Sequence, residues 1–300
     1  MKNESVLLTI YTPTYNRANL LERVYKSLCQ QTCKAFIWHV IDDGSTDNTS
    51  DLIKGWMENN VSFEIRYSYK PNGGVHTARD MAYRLCDTEL IVSCDSDDWL
   101  SDDAVQKIIE CWNNRTIEDV LGIMMPCAYS NGNAITQNFP NAYAMPWQDV
   151  FYKYHCVGDT NWVYRSDLIK ATEDAPEFEG EKLIGELYKC LQLPKNMPII
   201  LLHEYLSIKE YQADGYTSAA YSYVFKNPKG FREDCRQRII NGKYLPLRIK
   251  GYLGYIASSI LIDDKEWLVN SPSPIKVILL YPLGLLAGLI LRRREKQVVD

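Results

Sequence analysis

The first hundred residues alternate between short apolar runs and helical patterns, and this alternation constrains the fold more than any other feature of the chain. Apolar runs typical of buried strands occupy residues 6–12, 36–41, 63–69 and 89–94. Between them, apolar residues recur at helical spacing, as at Leu21, Val24 and Leu28. Strands that alternate with helices at such short intervals predict a parallel sheet covered by helices on both faces.

Polar clusters follow three of these strands. They are TYNR at residues 14–17, DD at 42–43 and DSDD at 95–98. Because ligands of open α/β sheets bind outside the carboxyl ends of the strands, we expect one crevice to collect all three clusters. No Gly-x-Gly-x-x-Gly follows the first strand and the chain has no Gly-Lys-Ser/Thr loop. These absences argue against an ordinary dinucleotide site and a P-loop site.

The last of these clusters carries a pattern suited to a divalent cation. Asp95 and Asp97 are two positions apart, so both carboxylates would point to the same side of an extended backbone. Hard oxygen ligands suit Mg²⁺ or Mn²⁺, and Mg²⁺ often combines one or two carboxylates with phosphate oxygens and water. The same pattern also occurs in solvated turns, with Ser101 or Asp102 capping the following helix. Its position after a buried strand, in line with the other strand-end acids, favours the metal site.

Composition and charge narrow the class of protein. Of 300 residues, 46% are apolar and 24% are charged, which is the balance of a globular protein and not of a disordered chain or a coiled-coil rod. The net charge of −5 gives no electrostatic footprint for nucleic acid, so no nucleic-acid partner is expected. Nine cysteines without a Cys-x-x-Cys pair, and an apolar N-terminal run too short for a signal peptide, predict a reduced, cytoplasmic chain.

Four ordered motifs give the chain a family resemblance. They are TPTYNR at residues 12–17, IDDGSTD at 41–47, ARD at 78–80 and DSDD at 95–98. Together they resemble the successive signatures of family 2 glycosyltransferases, over about residues 5–215. The segment 204–217, around EYQADG at 210–215, is similar to a bacterial branch that builds surface polysaccharides. The resemblance implies a GT-A fold, with a mostly parallel sheet, a Rossmann-like nucleotide-binding half and an acceptor half. The residues beyond it are predicted, from their own sequence pattern, to form a C-terminal helical extension.

The resemblance also implies an activity: transfer of a sugar from a nucleotide-diphosphate donor, most often a uridine one, to an acceptor hydroxyl, with inversion and with Mn²⁺ or Mg²⁺. Tyr15 would lie against the base, and Asp43, with Asp42 beside it, would bond the edge of the base. Asp95 would approach the ribose or the metal, and Asp97 would be the principal metal ligand. The acceptor would be a glycan or a lipid-linked saccharide.

Two further donor-site residues follow from the same resemblance. Thr12 opens the first motif and belongs to the donor-binding set. Arg79 would lie near the diphosphate or lock the acidic loop, although this chain reads Ala-Arg-Asp where the family usually has Ala-Arg-Asn. A late histidine, here His203, serves some GT-A enzymes as an extra metal ligand, but a hydrogen-bonded edge histidine is the simpler interpretation.

The general base is expected among the acids of the second half. Many family members carry a Glu-Asp pair at the start of a helix under the acceptor site, and here Lys182 takes the place of the second acid. Glu181 is the first candidate, Glu179 the second and Asp159 the third. A base is needed because a sugar hydroxyl is a poor nucleophile until its proton is removed.

The chain divides, on this interpretation, into a glycosyltransferase domain at 1–225 and a helical extension at 226–300. Residues 1–105 would bind the nucleotide sugar and residues 106–225 the acceptor. The segment that begins at Val277 and ends at Arg294 is apolar as far as residue 291 and ends in three arginines. Its apolar part is shorter than the roughly 20 residues of a membrane span, and Pro282 should interrupt its helix.

This segment favours peripheral contact with the cytoplasmic face of a membrane, with the arginines on anionic headgroups. A buried helix pair and a true span are the alternatives. For the whole chain, the competing functions are a nucleotidyltransferase, which would ordinarily show a Gly-rich first loop, and a catalytically silent nucleotide- or glycan-binding subunit.

Overall fold

The structure is a computed structural model that describes residues 6–59, 61–210 and 220–299. The described chain divides into two compact units. The first contains the residues up to 172 together with 196–210, and the second contains Glu173–Lys195 and residues 220–299. The boundary predicted from the sequence lies at residue 225 instead. Glu173–Lys195 groups with the helices after 220 because its side chains and backbone bond to them, as where the Glu181 carboxylate accepts the Gly230 N–H.

The strands of the first unit form one mixed sheet. Their bounds are β1 Leu8–Thr14, β2 Phe36–Asp42, β3 Glu64–Tyr69, β4 Leu90–Ser93, β5 Trp99–Leu100, β6 Gly122–Tyr129, β7 Ala144–Pro146, β8 Thr160–Arg165, β9 Pro198–Leu201 and β10 Ser207–Lys209. The order along the sheet is β3-β2-β1-β4-β8-β6-β10-β5, while β9 pairs with β6 and with β7.

The helices occupy both units. Their bounds are α1 Ala18–Gln30, α2 Thr49–Glu58, α3 Val75–Leu85, α4 Ala104–Asn113, α5 Trp147–Tyr152, α6 Ser166–Lys170, α7 Leu187–Cys190, α8 Ala220–Lys226, α9 Pro228–Asn241, α10 Leu245–Leu261 and α11 Pro274–Val299. The first six belong to the sheet-containing unit and the last five to the second unit.

The first four strands confirm the alternation predicted from the sequence. They run parallel, with Thr14 paired to Asp42 and Tyr11 to Ser93, so that their carboxyl ends meet at one edge. Every residue of β1 and of β2 is buried, as expected of central parallel strands. The core of this unit forms around them and includes Leu8, Trp38 and Val92.

The first strand continues two residues past the point at which the sequence predicts its end. Pro13 lies inside β1 and pairs in register with Ile41. Because the Tyr11 carbonyl accepts from β4, the missing N–H of Pro13 also faces the β4 side, where the ladder has already ended at Ser93. No ladder hydrogen bond is therefore lost, and the strand carries Thr14 to the edge of the sheet.

The other half of the sheet is mixed in direction. Strand β8 runs antiparallel to both β4 and β6, with Val163 opposite Val92 and Ile123. This pairing brings the start of β8 to the edge at which β4 ends. Strand β10 is parallel to β6 and antiparallel to β5, so Lys209 at the end of β10 comes close to the loop before Trp99.

The second unit is built around α9, α10 and α11. Tyr252, Ile256 and Val277 belong to a small core between these helices. Helix α11 is longer than the sequence predicts, and Pro282 lies inside it without ending it. Since proline only removes one backbone donor and bends a helix that neighbours support, packing against α10 allows the helix to continue.

All nine cysteines are free thiols in the structure, as the odd count and irregular spacing predict. Six of them are buried. A buried thiol in apolar surroundings packs as a small hydrophobic side chain.

Candidate active site

The candidate site lies at the edge where β1, β2 and β4 end. The paired registers of these strands put Thr14, Asp42 and Ser93 near the same edge. Thr14 and Asp42 open two of the polar clusters, and Ser93 lies two positions before the third. The sequence prediction that one edge collects the clusters is therefore confirmed for the strands of the first unit.

The acidic loop after β4, residues 94–98, is anchored at both ends by backbone bonds. Cys94 N–H donates to the Tyr11 carbonyl, and Asp98 N–H donates back to the Asp95 carbonyl. Burial alternates along the loop, so that Asp95 and Asp97 are partly exposed while Asp98 is buried. The two predicted metal ligands thus share the accessible side, as their spacing predicts.

One carboxylate oxygen of this loop has no hydrogen-bond partner among the described residues. Asp95 Oδ1 is buried and has no hydrogen-bond partner. Such atoms are rare in folded proteins and call for a water, an ion or a ligand. Asp97, at 17% side-chain exposure, offers a second carboxylate beside it. Among the described residues, no cluster of three or more His, Cys, Asp or Glu side chains forms a complete metal site, so phosphate oxygens or water would have to complete the ligand set.

The electrostatics of the loop point the same way. Burial, and then the nearby Asp95 carboxylate, raise the pKa of Asp97 above its ordinary value, and Arg17 opposes them. Two carboxylates that are close and partly desolvated repel one another, and an added cation relieves that repulsion. The loop therefore has the charge, the oxygen chemistry and the vacant bonding capacity that suit Mg²⁺ or Mn²⁺.

Three basic residues already contact the acidic loop. Arg17 Nη1 lies 3.2 Å from Asp97 Oδ2, and Lys209 Nζ lies 2.6 Å from Asp98 Oδ2. Arg23 Nη2 donates to the Asp97 carbonyl at 2.6 Å. Its guanidinium also stacks 4.5 Å from the centre of the Trp99 ring.

The acids after β2 have their oxygens occupied, in contrast to Asp95. The Asp43 carboxylate accepts hydrogen bonds from four donors at 2.7–3.1 Å, which are Lys70 Nζ, Asn72 Nδ2, Gly73 N and Gly74 N. Asp42 accepts from Ser45 N and from the Tyr67 hydroxyl, both at 2.7 Å. These carboxylates hold the turn after β2 and the loop before α3, and their predicted contact with a base stays a prediction.

A glycine is required where these two loops meet. Gly44 has φ +85°, and a Cβ there would lie 2.7 Å from the backbone nitrogen of Asn72. Only glycine allows the two loops to approach so closely in this conformation.

The remaining predicted donor residues differ in accessibility. Thr12 is buried, and its hydroxyl accepts a hydrogen bond from Trp38 Nε1 at 3.0 Å, which links β1 to β2. Arg79 is half-buried on α3. Tyr15 is 47% exposed and comes directly after β1, which leaves its ring accessible to a ligand.

The three candidate bases fall in different units. Asp159 directly precedes β8, whose antiparallel pairing with β4 puts it at the edge of the acidic loop. Glu181 belongs to the second unit, where its two carboxylate oxygens accept the N–H groups of Lys229 and Gly230 at the start of α9. Glu179, also in the second unit, is exposed. The late histidine, His203, bonds the Ala142 carbonyl at 3.0 Å through Nε2.

Comparison with known proteins settles the family. The sequence profile named Glycosyl transferase family 2 matches residues 9–172, more than half of the chain. The chain belongs to glycosyl transferase family 2. The family predicted from the four motifs is thereby confirmed.

Relatives with curated names match part of the chain. A hyaluronan synthase of Pasteurella multocida is 38% identical over 104 residues, which cover 35% of this chain and 10% of that protein. The glycosyltransferase GlyA of Streptococcus pneumoniae serotype 4 is 26% identical over 189 residues, covering 61% of this chain and 24% of that one. The chain thus spans a quarter or less of the length of these two relatives.

Solved structures show the fold. Staphylococcus aureus TarS 1-349 in complex with UDP-GlcNAc superposes with a TM-score of 0.60 at 17% identity, covering 88% of this chain and 76% of that one. The mannosyltransferase PcManGT from Pyrobaculum calidifontis, in complex with GDP-Man and Mn²⁺, gives 0.56 at 15% identity, covering 97% and 83%. The GT-A fold class predicted from the sequence is confirmed.

Sequence reasoning missed the basic residues that contact the acids. Arg17 ends the first motif, so its place beside the acidic loop could have been inferred from the shared strand edge. Lys209 and Lys70 carry no such signal, because long-range pairing brings them to Asp98 and Asp43. The segment predicted to resemble a polysaccharide-building branch, 204–217, lies outside the described residues from position 211 onward.

Proposed function

We propose that the chain transfers a sugar from a nucleoside-diphosphate donor to a hydroxyl of a glycan or lipid-linked acceptor, with Mn²⁺ or Mg²⁺ held by Asp95 and Asp97. The observation that carries the proposal is the buried, unpartnered Asp95 Oδ1 next to the partly exposed Asp97 carboxylate. Family membership supports the reaction class, and the names of the relatives, among them a hyaluronan synthase, support a glycan product.

The residues of the loop fit this role. A divalent ion there would supply compensation for the negative charge that develops on the departing diphosphate. Asp95 and Asp97 are held on a loop that is tied to β1 and closed by the Asp98 turn, so they need little rearrangement to hold a ligand. Tyr15, with its exposed ring, would stack on the base of the donor.

The donor is tested by thermal unfolding with nucleoside diphosphates, with and without Mn²⁺. We expect UDP with Mn²⁺ to raise the Tm and UDP alone to raise it much less, because binding to the folded state stabilises it by mass action. GDP is the comparison, since one structural neighbour was solved with GDP-Man. A chain whose Tm responds to none of these ligands would contradict the proposal. The same Tm shift without any transfer or donor hydrolysis would favour a silent binding subunit.

An inverting reaction needs a base opposite the leaving group, and the proposal assigns this role to one of three acids. Glu181 already accepts two backbone N–H groups at the start of α9. Asp159 directly precedes β8, the strand that pairs antiparallel with β4. These observations support testing Asp159 first, with Glu181 and Glu179 as the alternatives.

Variants of the three acids distinguish them. Asp159→Asn should abolish transfer while UDP affinity persists, and the exposed Glu177→Gln serves as control. Glu181→Gln should mainly lower the Tm, because its carboxylate stabilises the first turn of α9. Loss of transfer at normal Tm in Glu181→Gln would return the role of base to that residue. The configuration of the product, read by NMR, tests inversion.

The proposal includes contact between α11 and the cytoplasmic face of an anionic membrane. One face of α11 packs on α10, where a Cβ at Gly284 would lie 2.6 Å from Ile256. The opposite face is an apolar stripe with side-chain exposures between 46% and 74%, formed by Ile275, Ile278, Leu279, Leu283, Leu286, Leu289 and Ile290. The window at 274–293 has a mean hydropathy of 2.0 and is only 17% buried. Exposed Arg293 follows the stripe and suits anionic headgroups.

Vesicle sedimentation tests this contact. The full chain should bind phosphatidylglycerol vesicles more tightly than phosphatidylcholine ones, and Leu279→Glu with Leu286→Glu should weaken binding by about tenfold or more. Met57→Glu, on the exposed surface of the first unit, is the matched control. Equal sedimentation of the variant and the control would contradict the contact. Retention in membranes at alkaline pH would indicate a span instead, for which α11 has sufficient length.

A further inference from the structure

Arg17 makes a contact that conflicts with the proposed role of Asp97. Its Nη1 donates to Asp97 Oδ2 at 3.2 Å and to Ser96 Oγ at 3.3 Å. Asp97 is the carboxylate that would hold the metal, and the oxygen bonded to Arg17 is not fully available to a second cation. Arg17 and a metal ion would therefore compete for this carboxylate.

The other two basic residues at the loop are committed elsewhere. Lys209 is partly buried beside the buried Asp98, at 16% and 9% side-chain exposure, and 2.6 Å separates the two charged groups. Arg23 bonds a backbone carbonyl and Glu210, and stacks on Trp99. Among the ion pairs described in this structure, Arg17 is thus the cation that pairs with the carboxylate of Asp97.

The Arg17 contact is also the one that is easily exchanged. It uses a single guanidinium nitrogen, at a distance longer than the 2.7–2.9 Å of strong charge-assisted bonds. Arg17 is 26% exposed and Asp97 17%, so water can replace either partner as the bond breaks. The other nitrogens of the Arg17 guanidinium, whose planar arrangement suits the oxygens of a phosphate, can bond a new partner.

We propose that Arg17 is a stand-in cation: it balances Asp97 in the absence of metal and moves its guanidinium to the diphosphate of the donor when metal and donor bind. The inference rests on the proposed function, because it assumes a metal at Asp95 and Asp97. In this role the guanidinium of Arg17 pairs first with Asp97 and then with the diphosphate of the donor. No bond is made or broken in this exchange apart from hydrogen bonds and ion pairs.

The proposal predicts two effects of opposite sign in Arg17→Gln. Without nucleotide, Mn²⁺ should bind more tightly, by about fivefold, because no internal cation competes for Asp97. With saturating Mn²⁺, UDP should bind more weakly, by about fivefold or more, because the diphosphate loses a charged partner. Electron paramagnetic resonance of free Mn²⁺ measures the first affinity, and calorimetry measures the second.

Two variants serve as controls. Lys26→Gln removes the same charge from the exposed side of α1, where Lys26 pairs with Glu22, and should leave both affinities unchanged. Arg17→Lys keeps the charge, so Mn²⁺ affinity should return to that of the wild type while UDP affinity recovers only in part. The Tm of each variant confirms that it is folded.

The results separate this inference from the proposed function. If Arg17→Gln weakens both Mn²⁺ and UDP binding, or leaves Mn²⁺ binding unchanged, Arg17 is a structural support of the loop and the inference is wrong. An absence of Mn²⁺ binding without nucleotide in both the wild type and Arg17→Gln also counts against it. If the wild type binds UDP equally well with and without Mn²⁺, the proposed metal site itself fails.

Discussion

Two acidic clusters at the same sheet edge are alike in sequence and differ in structure. Asp43, after β2, is surrounded by four hydrogen-bond donors, and its carboxylate ties two loops together. Asp95, after β4, has a buried oxygen without a partner, and Asp97 beside it is held by one partly exposed arginine. The first cluster is internally satisfied, and the second is not.

This difference separates stability from ligand binding. A carboxylate whose bonds are all made within the protein stabilises the fold, and removing it leaves its donors without acceptors. A carboxylate with free bonding capacity costs stability and is retained where a ligand completes it. Variants of the cluster after β2 should therefore change mainly the free energy of unfolding, and variants of Asp95 and Asp97 should change mainly ligand binding and transfer.

The largest effect on transfer is expected from Asp97→Asn. Transfer should fall by about 100-fold or more, equivalent to about 3 kcal/mol of transition-state stabilisation, because one of two ligands to the cation is lost. The Tm should change little, since the amide avoids the cost of a partly buried charge. The rate of donor turnover and thermal unfolding measure both, with the exposed Asp102→Asn as control. A large loss of Tm in Asp97→Asn would show that Asp97 stabilises the fold as Asp43 does, contrary to the difference described above.

Asp98 belongs to the acidic motif in sequence, but its carboxylate, like that of Asp43, is paired within the protein, here with Lys209. Asp98→Asn should lower the free energy of unfolding by about 3 kcal/mol, because the partly buried Lys209 loses the carboxylate that its Nζ contacts. Combining it with Lys209→Met should restore most of that loss. Denaturant unfolding of the single and double variants gives the coupling. Equal stability of the two would show that the pair is not a unit.

Asp43→Asn should act on stability before it acts on binding. We expect a loss of about 3 kcal/mol in the free energy of unfolding, because Lys70 loses its anionic partner and the 70–74 loop loses acceptors. Asp51→Asn, exposed on α2, is the control in the same denaturant titration. If stability is unchanged while UDP affinity disappears, Asp43 contacts the base directly, as the family resemblance implies.

The smallest expected effect is a pH dependence of stability that comes from His39, a buried titratable residue of β2. Burial, and then the charge of Arg66, lower the pKa of His39 on β2 to about 4. The unfolded chain binds this proton near pH 6.5 and the folded chain near 4, so the stability contributed by neutral His39 is lost as pH falls through that window. Between pH 7 and 5 the loss is about 2 kcal/mol. His39→Gln should flatten this part of the stability profile, and an unchanged slope in urea unfolding would contradict the assignment.

The sequence predicts the parallel half of the fold well because its signals are local. The apolar runs at 36–41 and 63–69 became β2 and β3 with shifts of one residue, and the strand-end acids fell where predicted. The mixed half was not predicted, since the insertion of β8 between β4 and β6 depends on pairing between distant segments. No local pattern encodes that partner choice.

The acids of the candidate site can be identified from the sequence, but the basic residues that pair with them cannot. Asp95 and Asp97 stand out by spacing and by position after a strand. The partners Lys70 and Lys209 become neighbours of acids only through tertiary structure, at separations of 27 and 111 residues. The Glu181 carboxylate accepts two backbone N–H groups at the start of α9, a contact that no local pattern encodes, and its role as a base stays a prediction.

The metal site itself can be examined by calorimetric titration of UDP into the full chain, first with Mn²⁺ and then with EDTA. If Asp95 and Asp97 hold a divalent cation together with the diphosphate of the donor, Mn²⁺ should tighten UDP binding by about tenfold or more, and Asp97→Asn should remove this gain. Equal UDP affinity in Mn²⁺ and EDTA, or a gain that survives in Asp97→Asn, would rule out a metal at these two aspartates.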